Sequence, residues 1–238
     1  MLFRSWEENK PDLFALSENR AYALAEKLNL GQLLRVRNYY IADLLLELDR
    51  FRLNETKEKN LLFLSEAIEE HCLLRYKNPT YEGYTQTQVL IDILNNYHSL
   101  SQKLQFENII IRLHPAESPD KFDYLINSYP ELIISIEKPG DRPLNECIAD
   151  AKVVIGIKSM ALLIAFLLNK PVLSYIPIEL PCALPLPERC CTHDLNEIPS
   201  FDSIPRFQAN SGLSFYEGFP LDRMITDLRK KLANHAIL

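Results

Sequence analysis

Glycine is scarce, with six residues in a chain of 238. None falls in a G-x-G-x-x-G or G-x-x-x-x-G-K-[ST] pattern, so the two common glycine-rich phosphate loops are excluded. Gly156-Ile157-Lys158-Ser159 matches only the tail of such a loop. Long apolar runs are missing as well. The longest helix-length run, Met160 to Leu168, falls short of the roughly 20 residues that span a bilayer. The start, Met1-Leu2-Phe3-Arg4-Ser5-Trp6-Glu7-Glu8, lacks the apolar core of a signal peptide. A cytoplasmic protein without a transmembrane segment is therefore expected. Positive charge is in deficit: 26 Lys and Arg against 32 Asp and Glu give a net charge of −6. That excludes a general nucleic-acid or anionic-membrane binder. Five cysteines, an odd number, occur without any C-x-x-C pair. Cys182, Cys190, Cys191 and His193 cluster, but adjacent cysteines suit tetrahedral zinc poorly. Free thiols are expected, with no disulfide frame and no metal site.

The stretch from Ala149 to Tyr175 organises what is present. Val153 to Ile157 is a short apolar run, Met160 to Leu168 is a helix-length apolar run, and Pro171 to Tyr175 is a second short one. This predicts strand, helix, strand with connections of about two residues. Neither strand alternates, so both faces should be covered, as in a parallel sheet. Ser159 is a natural N-cap. A helix that starts beyond a strand's C-terminal end offers free N–H groups and a positive dipole end, which suit phosphate.

Elsewhere the pattern predicts helices over Ser17 to Asn29 and Ile41 to Leu53, with a strand at Leu33 to Val36 between them. The polar run Asn54 to Asn60 reads as a linker, dividing residues 1–57 from residues 58–238. Strands are then expected at Leu61–Leu64, Ile109–Leu113, Leu132–Ile136, Val153–Ile157 and Val172–Ser174. Ala67 to Tyr84 reads as a loop. A capping box at Thr85-Gln86-Thr87-Gln88 opens one long amphipathic helix reaching Leu104. Ser118-Pro119-Asp120 opens another helix, and Leu144 to Ala149 a short one. Pro177 to Pro205 is proline-rich and irregular, and Leu221 to Ala233 reads as a terminal helix. Strand and helix alternate from Leu61 to Tyr175. The expected fold class is α/β, a doubly wound parallel sheet.

Such sheets bind ligands beyond the C-terminal ends of their strands. Ser65 and Glu66 follow the first strand, His114 the second, Glu137 and Lys138 the third, Lys158 and Ser159 the fourth, and Tyr175 the fifth. Pro115 holds His114 toward extended geometry and ends its strand there.

Ile111-Arg112-Leu113-His114-Pro115-Ala116-Glu117, followed by Ala149 to Leu163 and Asn169-Lys170-Pro171-Val172, resembles the C-terminal half of GT-B glycosyltransferases. The resemblance is to bacterial surface-polysaccharide families, the sialyl- and polysialyltransferases and the CDP-glycerol glycerophosphotransferases, and it covers residues 58 to 176. It implies a Rossmann-like donor-binding domain preceded, in residues 1–57, by a remnant of an N-terminal half. It implies that His114 and Ser159, with Lys158, contact the donor phosphate. Ser65, Glu66, Lys138 and Met160 are the weaker nucleotide-binding candidates. The substrate implied is a CMP-, CDP- or UDP-linked sugar for polysaccharide biosynthesis, with inverting transfer if active and no separate cofactor. Departures from the family pattern are Ile164 where a ribose-binding Glu often stands, and Lys158 in place of the first Ser of a pair. The short N-terminal part implies a homodimer or a second polypeptide completing the protein. Three readings stay open: a transferase, a catalytically silent nucleotide-binding domain, and a protein-interaction domain.

Overall fold

The computed structural model describes residues 13–17, 19–36, 38–48, 51, 59–182 and 184–207. The helix expected over Leu221 to Ala233 lies outside these residues. The chain divides into two compact units, Met1–Glu47 with Ala209–Leu238, and Leu48–Gln208. Among the described residues no helix is long and apolar enough to cross a membrane.

The first unit holds β1 (Leu13–Leu16), α1 (Asn19–Lys27), β2 (Gln32–Arg35) and all but the last residue of α2 (Tyr39–Leu48). β1 and β2 pair in parallel, Leu13 opposite Gln32 and Leu16 opposite Arg35. β1 was not anticipated from the sequence. α2 starts two residues before its expected start because the Asn38 side chain accepts the Ile41 N–H at 3.1 Å, a local cap.

The second unit contains β3 (Asn60–Leu64), α3 (Ile68–Tyr76), α4 (Gln86–Asn95), α5 (Tyr97–Leu104), β4 (Asn108–Arg112) and α6 (Asp123–Ser128). It continues through β5 (Ile134–Glu137), α7 (Leu144–Asp150), β6 (Val153–Gly156), α8 (Met160–Leu167), β7 (Val172–Tyr175) and β8 (Cys191–Thr192). Six strands form one sheet in the order β5-β4-β3-β6-β7-β8, and every pairing is parallel. The fold is α/β and doubly wound, as the sequence predicts. The order of connection reverses between β3 and β6, which makes their C-terminal ends the topological switch point.

The apolar runs explain the layers. Leu61, Phe63, Ile109, Ile111, Val153, Ile155 and Leu173 face one side, where Val89, Leu90, Ile93, Leu100 and Leu104 of α4 and α5 cover them. α7 and α8 pack against β3, β6 and β7. Leu162, Leu163 and Phe166 of α8 are buried there. Each large apolar side chain removed from water contributes about 1.5–3 kcal/mol before entropy is charged.

Four expectations need correction. Residues 68–76 are helical rather than loop, and α3 ends at Lys77 in the left-handed region, φ 58°. The long helix breaks into α4 and α5 at Asn96, whose side-chain amide donates to the Asp92 carbonyl at 2.8 Å. Asn competes with the helical ladder in just this way. The helix expected from Ser118 starts instead at Asp123, because the Ser118 hydroxyl engages the Asp120 carboxylate rather than a helical N–H. Finally, Cys182 and Cys191 form a disulfide, leaving Cys72, Cys147 and Cys190 as buried free thiols. The bond ties the start of the proline-rich segment to β8, which lies within that segment and is an edge strand too short for any periodic signal.

Candidate functional site

β3 and β6 pair with Leu61 opposite Val153 and Leu64 opposite Gly156. Their ends are level, so Ser65-Glu66 and Ile157-Lys158-Ser159 emerge side by side. Gly156 allows a close approach there. A Cβ on it would lie 3.2 Å from the Leu162 side chain and 3.2 Å from the Leu64 carbonyl oxygen. The Ser174 hydroxyl, on β7, donates to the Ile157 carbonyl and fixes the turn from the other side.

The Glu66 carboxylate lies against this turn. It accepts the Lys158 backbone N–H at 2.5 Å, and the nearby amides of Ser159 and Ile157 favour its charged form. Burial pushes the Glu66 carboxyl above its ordinary value; those amides and the Lys158 charge pull the other way without cancelling the effect. An internal carboxylate thus sits at the N-terminal end of α8, a place suited to an anion.

Ser159 occupies the N-cap position of α8, but its hydroxyl caps nothing. It is buried and has no hydrogen-bond partner. The Tyr84 hydroxyl is the other buried, unpartnered side-chain group found among the described residues. Lys158 extends its ammonium to the Glu82 carboxylate and lies 5.8 Å from the centre of the Tyr84 ring. The ammonium faces the Tyr84 hydroxyl without reaching good hydrogen-bond geometry. Burial opposes the Lys158 charge, but Glu82 and Tyr84 more than offset it and raise its pKa. Met160, the first residue of α8, is exposed.

One strand away, His114 follows β4. Its backbone N–H donates to the Glu117 carboxylate at 2.8 Å, and its Nδ1 accepts the Ala116 N–H at 3.1 Å. In the neutral ring that leaves the proton on Nε2. The ring is half-buried and meets His71 of α3 edge-on, with centroids 6.1 Å apart. Glu117 is the hub beneath it. Its side chain is wholly buried, accepts the Ser65 hydroxyl at 2.9 Å and the Gln86 amide at 3.3 Å, and pairs with Lys121 at 3.4 Å. Lys121 also bridges Glu69 at 2.8 Å and Glu70 at 2.5 Å. Ser65 is therefore committed to the scaffold.

The structure groups Ser65, Glu66, Lys158 and Ser159 at the switch point, with His114 across β3 on the same edge. Lys138 stands apart. It follows β5, the outer strand, is exposed, and its backbone N–H is bonded to Asp141. Glu82, Tyr84 and Glu117 were not singled out as site residues from the sequence. For Glu117 a signal existed, since an acidic residue three positions after a strand-ending His can reach back to its N–H. Glu82 and Tyr84 carried none, because only the fold brings their turn to Lys158.

Among the described residues no group of three or more His, Cys, Asp or Glu side chains could hold a metal ion. The fold and site define an α/β, Rossmann-like protein with a polar side-chain cluster at the switch point. No family model, curated protein or solved structure matches the chain.

Proposed function

We propose that the second unit binds a pyrimidine nucleotide, or the nucleotide-linked sugar carrying it, at the β3–β6 switch point, and that the chain is glycosyltransferase-like. The observation that carries this reading is the Ser159 hydroxyl, buried without a partner where α8 begins. An unpaired buried hydroxyl costs about 1–3 kcal/mol, and a phosphate oxygen would satisfy it. The His114-Pro115 motif and the strand-to-helix turn at Ser159, with their resemblance to donor-binding halves of GT-B enzymes, support the same ligand class.

In such a transfer an acceptor hydroxyl attacks the anomeric carbon, the bond to the phosphate oxygen breaks, and the nucleotide leaves as an anion. Ser159 and the turn amides would bind that anion, and His114 Nε2–H would supply a further donor. The acceptor side and its general base would come from a second copy of the chain or from another polypeptide.

A second reading is a catalytically silent domain. The Glu66 carboxylate favours it, because it already uses the Lys158 amide, which a phosphate would need. Calorimetry with CMP, CDP and UDP on wild type, His114→Ala and Ser159→Ala tests binding. Wild-type binding weakened about tenfold or more by either substitution is expected from the loss of a hydrogen bond to a charged group. No binding of any of the three at millimolar concentration would sink the reading. Release of nucleotide from a CMP-, CDP- or UDP-sugar then separates transferase from silent binder.

A further inference from the structure

Beyond β6 the Glu66 carboxylate, brought from the end of the neighbouring strand, accepts the Lys158 N–H, and the nearby amides of Ile157 and Ser159 also favour its charge. A carboxylate and a phosphate ask for the same surroundings: N–H donors, a helix N-terminus and a nearby cation. Here the carboxylate leaves part of those surroundings unused. The Ser159 hydroxyl is buried and unpaired, and so is the Tyr84 hydroxyl, on a residue only 1% exposed. Tyr84 interacts electrostatically with both Lys158 and Glu66, so its hydroxyl belongs to the same neighbourhood. The Glu66 carboxylate, engaged by the Lys158 amide, makes no hydrogen bond to either hydroxyl. A phosphate brings three strong acceptor oxygens.

We infer that Glu66 is an internal anion guarding this seat, and that a phosphate-bearing ligand binds by displacing its carboxylate from the Lys158 amide at the start of α8. The inference rests on the phosphate-site reading above and names how that site is regulated. Ligand affinity in the wild-type chain is net of the bonds that Glu66 gives up, and the displaced carboxylate also repels the phosphate. A Gln side chain keeps the shape and removes the charge that repels the phosphate.

The test is calorimetry with CMP and with inorganic phosphate on the full chain, wild type against Glu66→Gln, with amide NMR shifts of residues 157–159 as an independent readout. Glu66→Gln is expected to bind CMP about tenfold or more tightly than wild type. CMP should move the same three amides in both proteins. Wild-type binding with no gain in Glu66→Gln would overturn the gate while leaving the nucleotide site standing. Phosphate binding by Glu66→Gln with shifts at residues 157–159, together with no CMP binding by wild type, would support the gate and refute nucleotide binding by the wild-type chain. No binding by either protein would overturn both. If Glu66→Gln fails to fold, Glu66→Asp, one methylene shorter, should still bind CMP more tightly than wild type, and an unchanged affinity would overturn the gate.

Discussion

The Glu117 carboxylate, wholly buried, accepts the backbone N–H of His114 at 2.8 Å. The strand-ending His-Pro turn thus stands on an ionic hub that also gathers Ser65, Gln86 and Lys121. Glu117→Ala would leave several donors and part of the Lys121 charge without a partner. Breaking a buried pair from one side costs about 3–5 kcal/mol, and Lys121 retains Glu69 and Glu70, so a loss of about 3 kcal/mol is expected. Urea unfolding of the two proteins measures it. A change below about 0.5 kcal/mol, the range of ordinary surface substitutions, would show that the hub is not structural.

Gly156 sets the closeness of β6, β3 and α8. In Gly156→Ala the new methyl meets a backbone oxygen and the Leu162 side chain, each at 3.2 Å. Overpacking of this kind costs about 1–3 kcal/mol. A lowered urea midpoint with an unchanged slope is the expected result. Amide shifts should concentrate on the turn after β6 and the first turn of α8.

The cysteines give a count. Without reductant, native protein should present no fast-reacting thiol, because Cys72, Cys147 and Cys190 are buried and Cys182 is bonded to Cys191. Burial, followed by the Glu137 carboxylate, pushes the Cys147 thiol up to about 12, and burial does the same for Cys190. Three thiols should appear on unfolding and five after reduction. Five on unfolding alone would show that the disulfide is absent in solution.

Glu66 makes stability depend on pH. Its folded pKa is raised above the ordinary 4.5, chiefly by burial, against the opposing amides and Lys158. Below that ordinary value the carboxyl is protonated whether the chain is folded or not. As pH rises from about 4.5 through the raised folded value, the unfolded chain ionises first and stability is lost. Glu66→Gln lacks this loss. Its stability advantage over wild type should therefore grow from pH 4 toward neutrality and then level off, as measured by thermal unfolding across that range. An advantage that shrinks as pH rises would mean that the amides outweigh burial.

The central strands were legible because Leu61–Leu64 and Val153–Ile157 are short runs without alternation, bounded by polar residues, as strands covered on both faces are. α3 was hidden. It buries only Ile68 and Cys72, one helical turn apart, while Leu73 and Leu74 are exposed and blur the stripe. β8 was hidden because two residues show no period. The edge positions of Ser65, Glu66, His114, Lys158 and Ser159 followed from topology alone. Their partners did not. Glu66 meets Lys158 across 92 residues of chain, and Glu82 reaches it across 76. Local sequence carries no trace of such pairs. The same limit hid the Cys182–Cys191 bond, where an odd cysteine count pointed toward thiols.

Nucleotide binding at the β3–β6 switch point is tested most directly by recording the backbone amide spectrum of the full chain during a titration with CMP. Saturable shifts are expected at Ile157, Lys158, Ser159 and Met160, with smaller ones at Glu66 and His114, and Ser159→Ala should weaken the titration about tenfold. An unchanged spectrum at millimolar CMP, CDP and UDP, or saturable shifts confined to residues away from this edge of the sheet, would contradict the assignment of the switch point as a nucleotide site.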